Sequence, residues 1–295
     1  MSQVKKPSPQ PTARGTVTQK KIDKRINAGD GQGVREDYVP WIKVRAIASK
    51  GNSHMVPGVR VQRTHHLLSN AEYHYHVILE YDRSIIDIRE QFPLFPQSET
   101  HAIATSLNFR PPLYPGTDVP LVMTTDFLVT KLDENGTERL VARSMKYAKE
   151  IQDARQEVQD RILEKLDIER LYWERRGIEW KLVLYENLSQ NHIRNLLALR
   201  SYAAISPQLA SEKNIRNVLT FVECASTDSL PLKTLLKKIS KFIYIDYISV
   251  KHLFFHLLWT RLLEFDSRSK LISLAEPLCV KVSSSQQISV EARHA

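Results

Sequence analysis

The sequence predicts an α/β protein, a mixed-sheet domain followed by a mainly helical one. Strand-like apolar runs recur at residues 85–94, 121–129, 140–146 and 178–185. Helical patterns flank them, a short one starting at Ser69 and a long charged one over 149–176. In the long one Ile151, Ala154, Val158, Ile162, Leu166 and Tyr172 fall on or near one face. After Ser189 the pattern turns helical. At 295 residues and 42% hydrophobic, the chain can bury two cores.

Composition excludes several classes. No run of about 18 apolar residues exists, so no membrane span is expected. The N-terminus lacks the apolar stretch of a secretory signal. Cys224 and Cys279 are too few for a disulfide framework and lack zinc spacing, which points to a reducing, cytoplasmic location. The net charge of +9 fits a basic soluble protein or one with a polyanion partner, most often nucleic acid. No polybasic run lies beside a lipid-insertion signal.

Residues 1–26 read as a disordered basic arm. Ser, Gln, Thr and Pro dominate it, with Lys5, Lys6, Arg14, Lys20, Lys21, Lys24 and Arg25 interspersed. Such an arm tracks DNA backbone or serves as a solubilising tail. Gly29, Gly31 and Gly33 come next, with no strand before them and no helix pattern after, so a flexible turn is expected, not a phosphate loop. Residues 38–42 begin the core. Ser69 is an N-cap with Glu72 three residues on, a capping box. His65, His66, His74 and His76 invite a metal-site reading, but His74 and His76, two apart on a helix, point in different directions.

The run 85–94 predicts a buried strand in which Asp87 and Arg89 share a face and pair. Residues 96–120, rich in Pro and polar groups, predict a long surface excursion. Asn135-Gly136 predicts a hairpin between the next two strands. Gly177 fits a cap on the long helix, and 178–185 is the last strand of a domain ending near 187. Beyond a boundary at 201–207, helices are expected over 208–224, 231–242 and 249–263. A short strand is expected at 242–247, with a wing from 271–274 and 278–282. Helices with a hairpin after them suggest a winged-helix-like unit, able to bind DNA or protein. Residues 283–295 read as a disordered tail.

Three polar anchors stand in the apolar sequence of the first domain: Glu72 on a helix, Asp126 on a strand and Lys146 on the next strand. Metal-assisted phosphodiester hydrolysis needs such a set. Two carboxylates hold divalent cations, while a lysine orients or deprotonates the attacking water or steadies the charge on the phosphate. Each residue also has a plainer reading. Glu72 completes the capping box, and a hairpin can carry Asp126 and Lys146 as solvated charges, although Asp is depleted in strands. Loop length discriminates. A two-residue turn at Asn135-Gly136 sets Asp126 opposite Met145, with Lys146 on the other face. A three-residue loop, Glu134-Asn135-Gly136 with Gly136 left-handed, sets Asp126 opposite Ser144 and on the face of Lys146. The catalytic reading predicts the second.

Several runs resemble the TnsA family, the endonuclease subunit of a heteromeric cut-and-paste transposase. They are Gly31-Gln32-Gly33, Asp37-Tyr38-Val39-Pro40-Trp41, His65-His66-Leu67-Leu68-Ser69, Asp87-Ile88-Arg89-Glu90-Gln91-Phe92-Pro93-Leu94, Thr125-Asp126-Phe127-Leu128-Val129, and Leu163-Glu164-Lys165-Leu166 leading to Glu169-Arg170. They recur in family order between residues 25 and 186; beyond 190 the likeness rests on length and helix order. The resemblance implies a restriction-endonuclease-like domain over 27–187 and a helical, winged-helix-like domain over 188–282.

The family's catalytic glutamate falls on Glu72, its aspartate on Asp126 and its lysine on Lys146. An acidic position associated with a second metal falls on Asp82. The family's magnesium ligand two residues before the lysine is a glutamine; here it is Ser144, a weak Mg²⁺ ligand, with the Met145 carbonyl as a main-chain alternative. Glu169 matches a family acidic position near the site, or lies on a solvated helix face. The implied cofactor is Mg²⁺, with Mn²⁺ able to substitute. The implied reaction is cleavage of the 5′, non-transferred strands at transposon ends. The implied partners are double-stranded transposon-end DNA, a TnsB-like transposase that cuts and joins the 3′ ends, and a TnsC-like ATPase regulator. The alternatives are a catalytically inactive assembly subunit, its activity lost through Ser144, and a stand-alone nuclease of restriction type.

Overall fold

The computed structural model describes residues 17–46, 52–224 and 229–283. Its first helix, α1 (Gln19–Asn27), replaces the disorder expected up to residue 26; residues 1–16 of that arm lie outside the described residues. Thr18 caps α1 by accepting from the Lys21 amide, and Lys24 and Arg25 occupy the last turn, where cations suit the helix dipole. Tertiary contacts hold this polar segment. Ile22 is buried with Trp41 and Val122, and the Arg25 guanidinium lies 3.8 Å from the centre of the Trp41 ring. The glycine turn after it is fixed rather than flexible. Gly31 and Gly33 have positive φ, and a Cβ would stand 2.4 Å from Pro93 Cγ at Gly31 and 2.3 Å from the Asp37 carbonyl oxygen at Gly33.

An antiparallel hairpin, β1 (His54–Pro57) and β2 (Thr64–Leu67), precedes α2 (Asn70–Tyr81). The helix starts at the predicted cap, where Ser69 Oγ accepts from the Glu72 amide at 3.1 Å. The next strand is β3 (Ile85–Pro93), in which Arg89 pairs with Asp87 at 3.2 Å, as their shared face predicts. The expected surface excursion contains a helix, α3 (Gln97–Ser106). Thr100, Ile103 and Ala104 recur at helical spacing and are buried, which gives the segment an inward face.

β4 (Thr124–Leu132) and β5 (Glu138–Lys146) form the predicted hairpin. The long helix expected over 149–176 is broken into α4 (Ala148–Gln152) and α5 (Gln156–Glu174). At the break the Gln159 side chain donates to the Gln152 and Ala154 carbonyls, at 3.1 and 2.8 Å, satisfying groups that a helix end exposes. Gly177 (φ +64) terminates α5 as expected: its amide bonds to the Glu174 carbonyl and that of Ile178 to Trp173, a Schellman pattern. β6 (Glu179–Leu184) then runs parallel to β5, completing a mixed sheet of order β3-β4-β5-β6. On one face α2 contributes Ala71 and Leu79 to a core with Ile88, Phe127 and Met145. On the other, Ile103 of α3 and Ile168 and Trp173 of α5 pack on Leu128 and Ala142. This is the predicted α/β domain.

The remaining elements are α6 (Gln190–Arg200), α7 (Glu212–Cys224), α8 (Leu232–Ile243), α9 (Tyr247–Trp259) and an antiparallel pair, β7 (Leu263–Phe265) and β8 (Val280–Val282). The strand expected over 242–247 does not form. α8 runs to Ile243, Tyr244 is left-handed at φ +57, and Asp246 caps α9 by accepting from the Ile248 and Ser249 amides at 3.0 Å. Nor is 271–274 a strand, since the Asn195 side chain takes the Ile272 amide; β8 pairs instead with Leu263–Phe265, which begins at the last residue of the helix expected over 249–263. Arg261, at φ +56, ends that helix early. The tail beyond Ser283 lies outside the described residues. The core of this unit, including Leu196, Leu236 and Phe254, also takes in Val77 of α2. α2 is therefore packed on two sides. Among the described residues no helix is long and apolar enough to cross a membrane.

Candidate active site

The β4–β5 register decides which side chains meet. Phe127 pairs with Arg143 and Leu132 with Glu138. The Asp133 amide bonds the Thr137 carbonyl at 3.0 Å around Glu134-Asn135-Gly136, with Gly136 at φ +78. This is the three-residue loop that the catalytic reading requires. One step along the ladder it sets Asp126 across from Ser144, on the face of Lys146. Lys146 Nζ lies 4.0 Å from Asp126 Oδ2.

The alternation of β3 and β4 is interrupted at this point. Ile88 and Phe127 belong to the core under α2, while Phe92 and Met123, each four residues away, belong to the core under α5. Between them stand Asp126 and Gln91, the latter at φ +48. A left-handed residue inside a strand swaps the faces of the residues after it, and side chains at the crossover are released from both layers.

Those released side chains converge with α2. Glu72 Oε2 accepts from the Leu68 amide at 2.9 Å and from Gln91 Nε2 at 3.2 Å, and its Oε1 accepts from Ser69 Oγ at 3.0 Å. The same Gln91 nitrogen donates to Asp126 Oδ1 at 3.3 Å, while Gln91 Oε1 accepts from Thr124 Oγ1 at 3.1 Å. Asp126 Oδ2 takes the Met145 amide at 2.7 Å, and Lys146 Nζ donates to the Met145 carbonyl at 2.9 Å. Behind them Glu169 of α5 accepts from Thr125 Oγ1 at 2.6 Å and from Ser144 Oγ.

Burial, and then the charge of Asp126, push Glu72 up to about 8 and Glu169 up to about 7. Asp126 also raises Lys146, against the effect of burial. A cation would relieve the burden that burial and the Asp126 charge place on Glu72 and Glu169. Among the described residues no group of three His, Cys, Asp or Glu side chains is arranged as a metal site. Glu72 and Asp126 nonetheless offer hard oxygens beside the Met145 carbonyl. This set fits Mg²⁺, which takes one or two carboxylates and keeps several waters.

A family model described as TnsA-like endonuclease N terminal matches residues 82–184. The chain is also 36% identical over 228 residues to the transposon Tn7 transposition protein TnsA of Escherichia coli, a match covering 72% of this chain and 80% of that protein. The chain belongs to the TnsA family. It is a DNA endonuclease, the endonuclease subunit of a transposase.

Of the positions marked by the TnsA pattern, Glu72, Asp126 and Lys146 are brought together. Asp82 is not. It ends α2 ten residues beyond Glu72, about 15 Å along the axis. There its Oδ1 accepts from the Ser84 amide and hydroxyl at 3.0 and 2.7 Å, so a local turn occupies it. Ser144 does reach the site, but its hydroxyl donates to Glu169 and accepts from Trp180 Nε1 at 3.1 Å, which leaves the Met145 carbonyl as the better-placed donor. Glu169 is buried, not part of a solvated face. Gln91 received no role of its own from the sequence; it stood within the TnsA-like run 87–94, between Glu90 and Phe92. The histidines serve elsewhere: His74 bonds the Tyr185 hydroxyl at 2.8 Å, and His65 and His76 are buried with ring centres 4.3 Å apart.

Proposed function

We propose that this TnsA-family chain cuts the 5′, non-transferred strands at transposon ends in a Mg²⁺-dependent reaction, with Glu72 and Asp126 as metal ligands and Lys146 as the cation facing the phosphate. The observation that carries the reading is the Gln91 amide, which donates to both carboxylates at 3.2 and 3.3 Å while Lys146 stands 4.0 Å from Asp126. A bound divalent cation would supply Lewis acidity at the phosphate and acidify a water. Glu72, Asp126 and the Met145 carbonyl would hold it. Asp126 raises Lys146, so the side chain works as an ammonium that orients water and donates to phosphate oxygen, not as a base. Glu169, raised to about 7, can exchange a proton near neutral pH while holding Thr125 and Ser144 in place.

In this reading the partners are double-stranded transposon-end DNA, a TnsB-like transposase that cuts the 3′ ends and a TnsC-like ATPase engaged by the helical unit. We read that unit, α7 to α9 with β7 and β8 after them, as winged-helix-like. Strand-resolved excision tests the assignment. Donor DNA carrying the ends is incubated with the partner proteins, Mg²⁺ and either wild-type or Lys146→Ala protein. Cuts on the 5′ strand are expected from the wild type alone, with 3′ cuts persisting in both. Identical cuts from the two proteins would make Lys146 structural and favour a non-catalytic assembly role.

A further inference from the structure

We propose that Lys165 of α5 is a second phosphate-binding residue of the nuclease site, gripping the phosphate next to the one that is cut and so fixing which bond faces Asp126. It rests on the reading of Lys146 as the cation at the cut phosphate.

The register of α5 against the sheet places Lys165. β6 follows α5 and runs parallel to β5, so α5 runs back along the sheet, its first half at the end of β5 where Lys146 stands. Ser144 and Glu169 mark where strand and helix touch. From that contact Lys146 is two residues along β5, about 7 Å, and Lys165 is four residues back along α5, about 6 Å. Both steps lead the same way, so the two lysines stand level at the edge of the sheet. Lys165 also continues the inward stripe of α5. Trp173 and Glu169, four residues apart, are buried, and Lys165 is the next member, exposed where β5 comes to its end.

A lysine on an ordinary solvated face of α5 would find an acid. Arg170 pairs with Asp167 and Glu174, and Arg161 with Glu164 at 2.5 Å. Lys165 has Glu169 at the i+4 spacing of a helix ion pair, but that carboxyl turns inward to Thr125 and Ser144. Among the described residues no carboxylate lies within 4.0 Å of Lys165. Burial lowers its pKa, and the charges that act on it, Arg161 and Lys146, lower it further. Lys146 differs, since Asp126 and Glu169 raise it. The site therefore holds one lysine balanced by carboxylates and a second, beside it, whose counter-charge must come from outside. The DNA backbone carries that charge at every nucleotide, and an ammonium takes a phosphate oxygen as a point charge without reading a base. With Lys146 on the cut phosphate, the neighbouring phosphate of the same strand falls to Lys165.

A phosphate-by-phosphate neutralisation scan tests the proposal. Donor DNA carrying the transposon ends is incubated with the partner proteins, Mg²⁺ and the full chain, and cuts on both strands are mapped. The cut made by this chain is the one missing when the chain is left out. Single neutral methylphosphonates then replace the phosphates around that cut, one at a time. Lys165→Gln is expected to slow the cut about tenfold, the scale of a lost charge-assisted hydrogen bond, while melting like wild type and leaving the other strand's cut unchanged. With wild-type protein, one methylphosphonate adjacent to the cut should also cost about tenfold; with Lys165→Gln that position should cost nothing more, and the other positions their full amount. Lys165→Arg, which keeps the charge, should restore both the rate and the sensitivity at that position. A Lys165→Gln chain that cuts like wild type, or whose loss adds to the methylphosphonate loss at every position, would overturn the proposal. Lys146→Ala, run alongside, reads the other assignment separately: normal cutting there removes Lys146 from its role, while the scan still judges Lys165.

Discussion

Gln91 shows how much of the site rests on one amide. Its nitrogen lies between Glu72 and Asp126, and Thr124 fixes which end of the amide faces them. Gln91→Leu keeps the volume but removes the donor. Supporting contacts of this kind carry about 10- to 100-fold in metal affinity or activity, so a fall of that size is expected, read by Mn²⁺ titration and by 5′-strand cutting. A variant with wild-type metal affinity would show that the bridge is incidental. The titration of Glu72 gives a second test. Its carboxyl sits at about 8 when folded, against 4.5 for an ordinary glutamate, so the folded chain keeps a proton that the unfolded chain releases. That contribution to stability is complete below 4.5 and is lost as pH rises towards 8. A cation must displace the same proton, so Mg²⁺ or Mn²⁺ should raise the melting temperature more at about pH 9 than at about pH 6. Equal shifts at both values would remove Glu72 from the ligand set.

Among the elements, α2 carries the most constraints. Its first turn holds Glu72, its Ala71 and Leu79 pack on the sheet, and its Val77 packs into the helical unit. Near its end Glu80 is buried and pairs with Arg200 of α6 at 2.6 Å, with His76 Nε2 at 3.4 Å. Burial would raise Glu80, but His76 and Arg200 outweigh it and hold the carboxyl well below its usual range. Arg63 and His65 do the same for Glu90 on β3. Arg200→Ala leaves a buried carboxylate without its cation and should cost about 3 kcal/mol in urea unfolding, with Glu80→Gln in the same chain recovering part of it. Because both carboxyls are depressed, their stabilisation is present above about pH 4.5 and is lost as pH falls through their folded values, so acid melts should steepen below that point. An unchanged acid limb in Glu90→Gln would refute the assignment for Glu90. Element by element, legibility tracked local signals. α2 announced itself through Ser69 and Glu72, and α5 ended at Gly177. α1 and α3 were missed because each buries so few side chains that the remaining polar residues look like coil until Trp41 or the sheet supplies a partner.

In the molecule as a whole, the meeting of Asp126 with Lys146 was readable where turn chemistry fixed it. Asn135-Gly136 predicted a hairpin, and a left-handed Gly136 aligned Asp126 with Lys146. The contribution of Gln91 was not readable, because it depends on a left-handed residue inside a strand; Glu169 was marked only through the TnsA resemblance, because its place depends on how α5 lies across the sheet. The same dependence on tertiary partners governs the join between the two units. The helical unit covers Tyr73, Val77, Ile78 and Tyr81 of α2, and Arg200 closes over Glu80. Cutting the chain after residue 187, where the sequence suggests a boundary, would strip the outer side of the helix that positions Glu72. It would expose an apolar stripe and leave Glu80 without Arg200, costs that fall on the helix that carries Glu72. The fragment 1–187 is therefore expected to melt well below the intact chain, to bind a hydrophobic dye and to lose Mg²⁺-induced stabilisation. Adding the separate fragment 188–295 should restore part of each. A fragment that melts like the intact chain and still responds to Mg²⁺ would show that the nuclease unit holds Glu72 unaided, and that the second packed side of α2 serves docking alone.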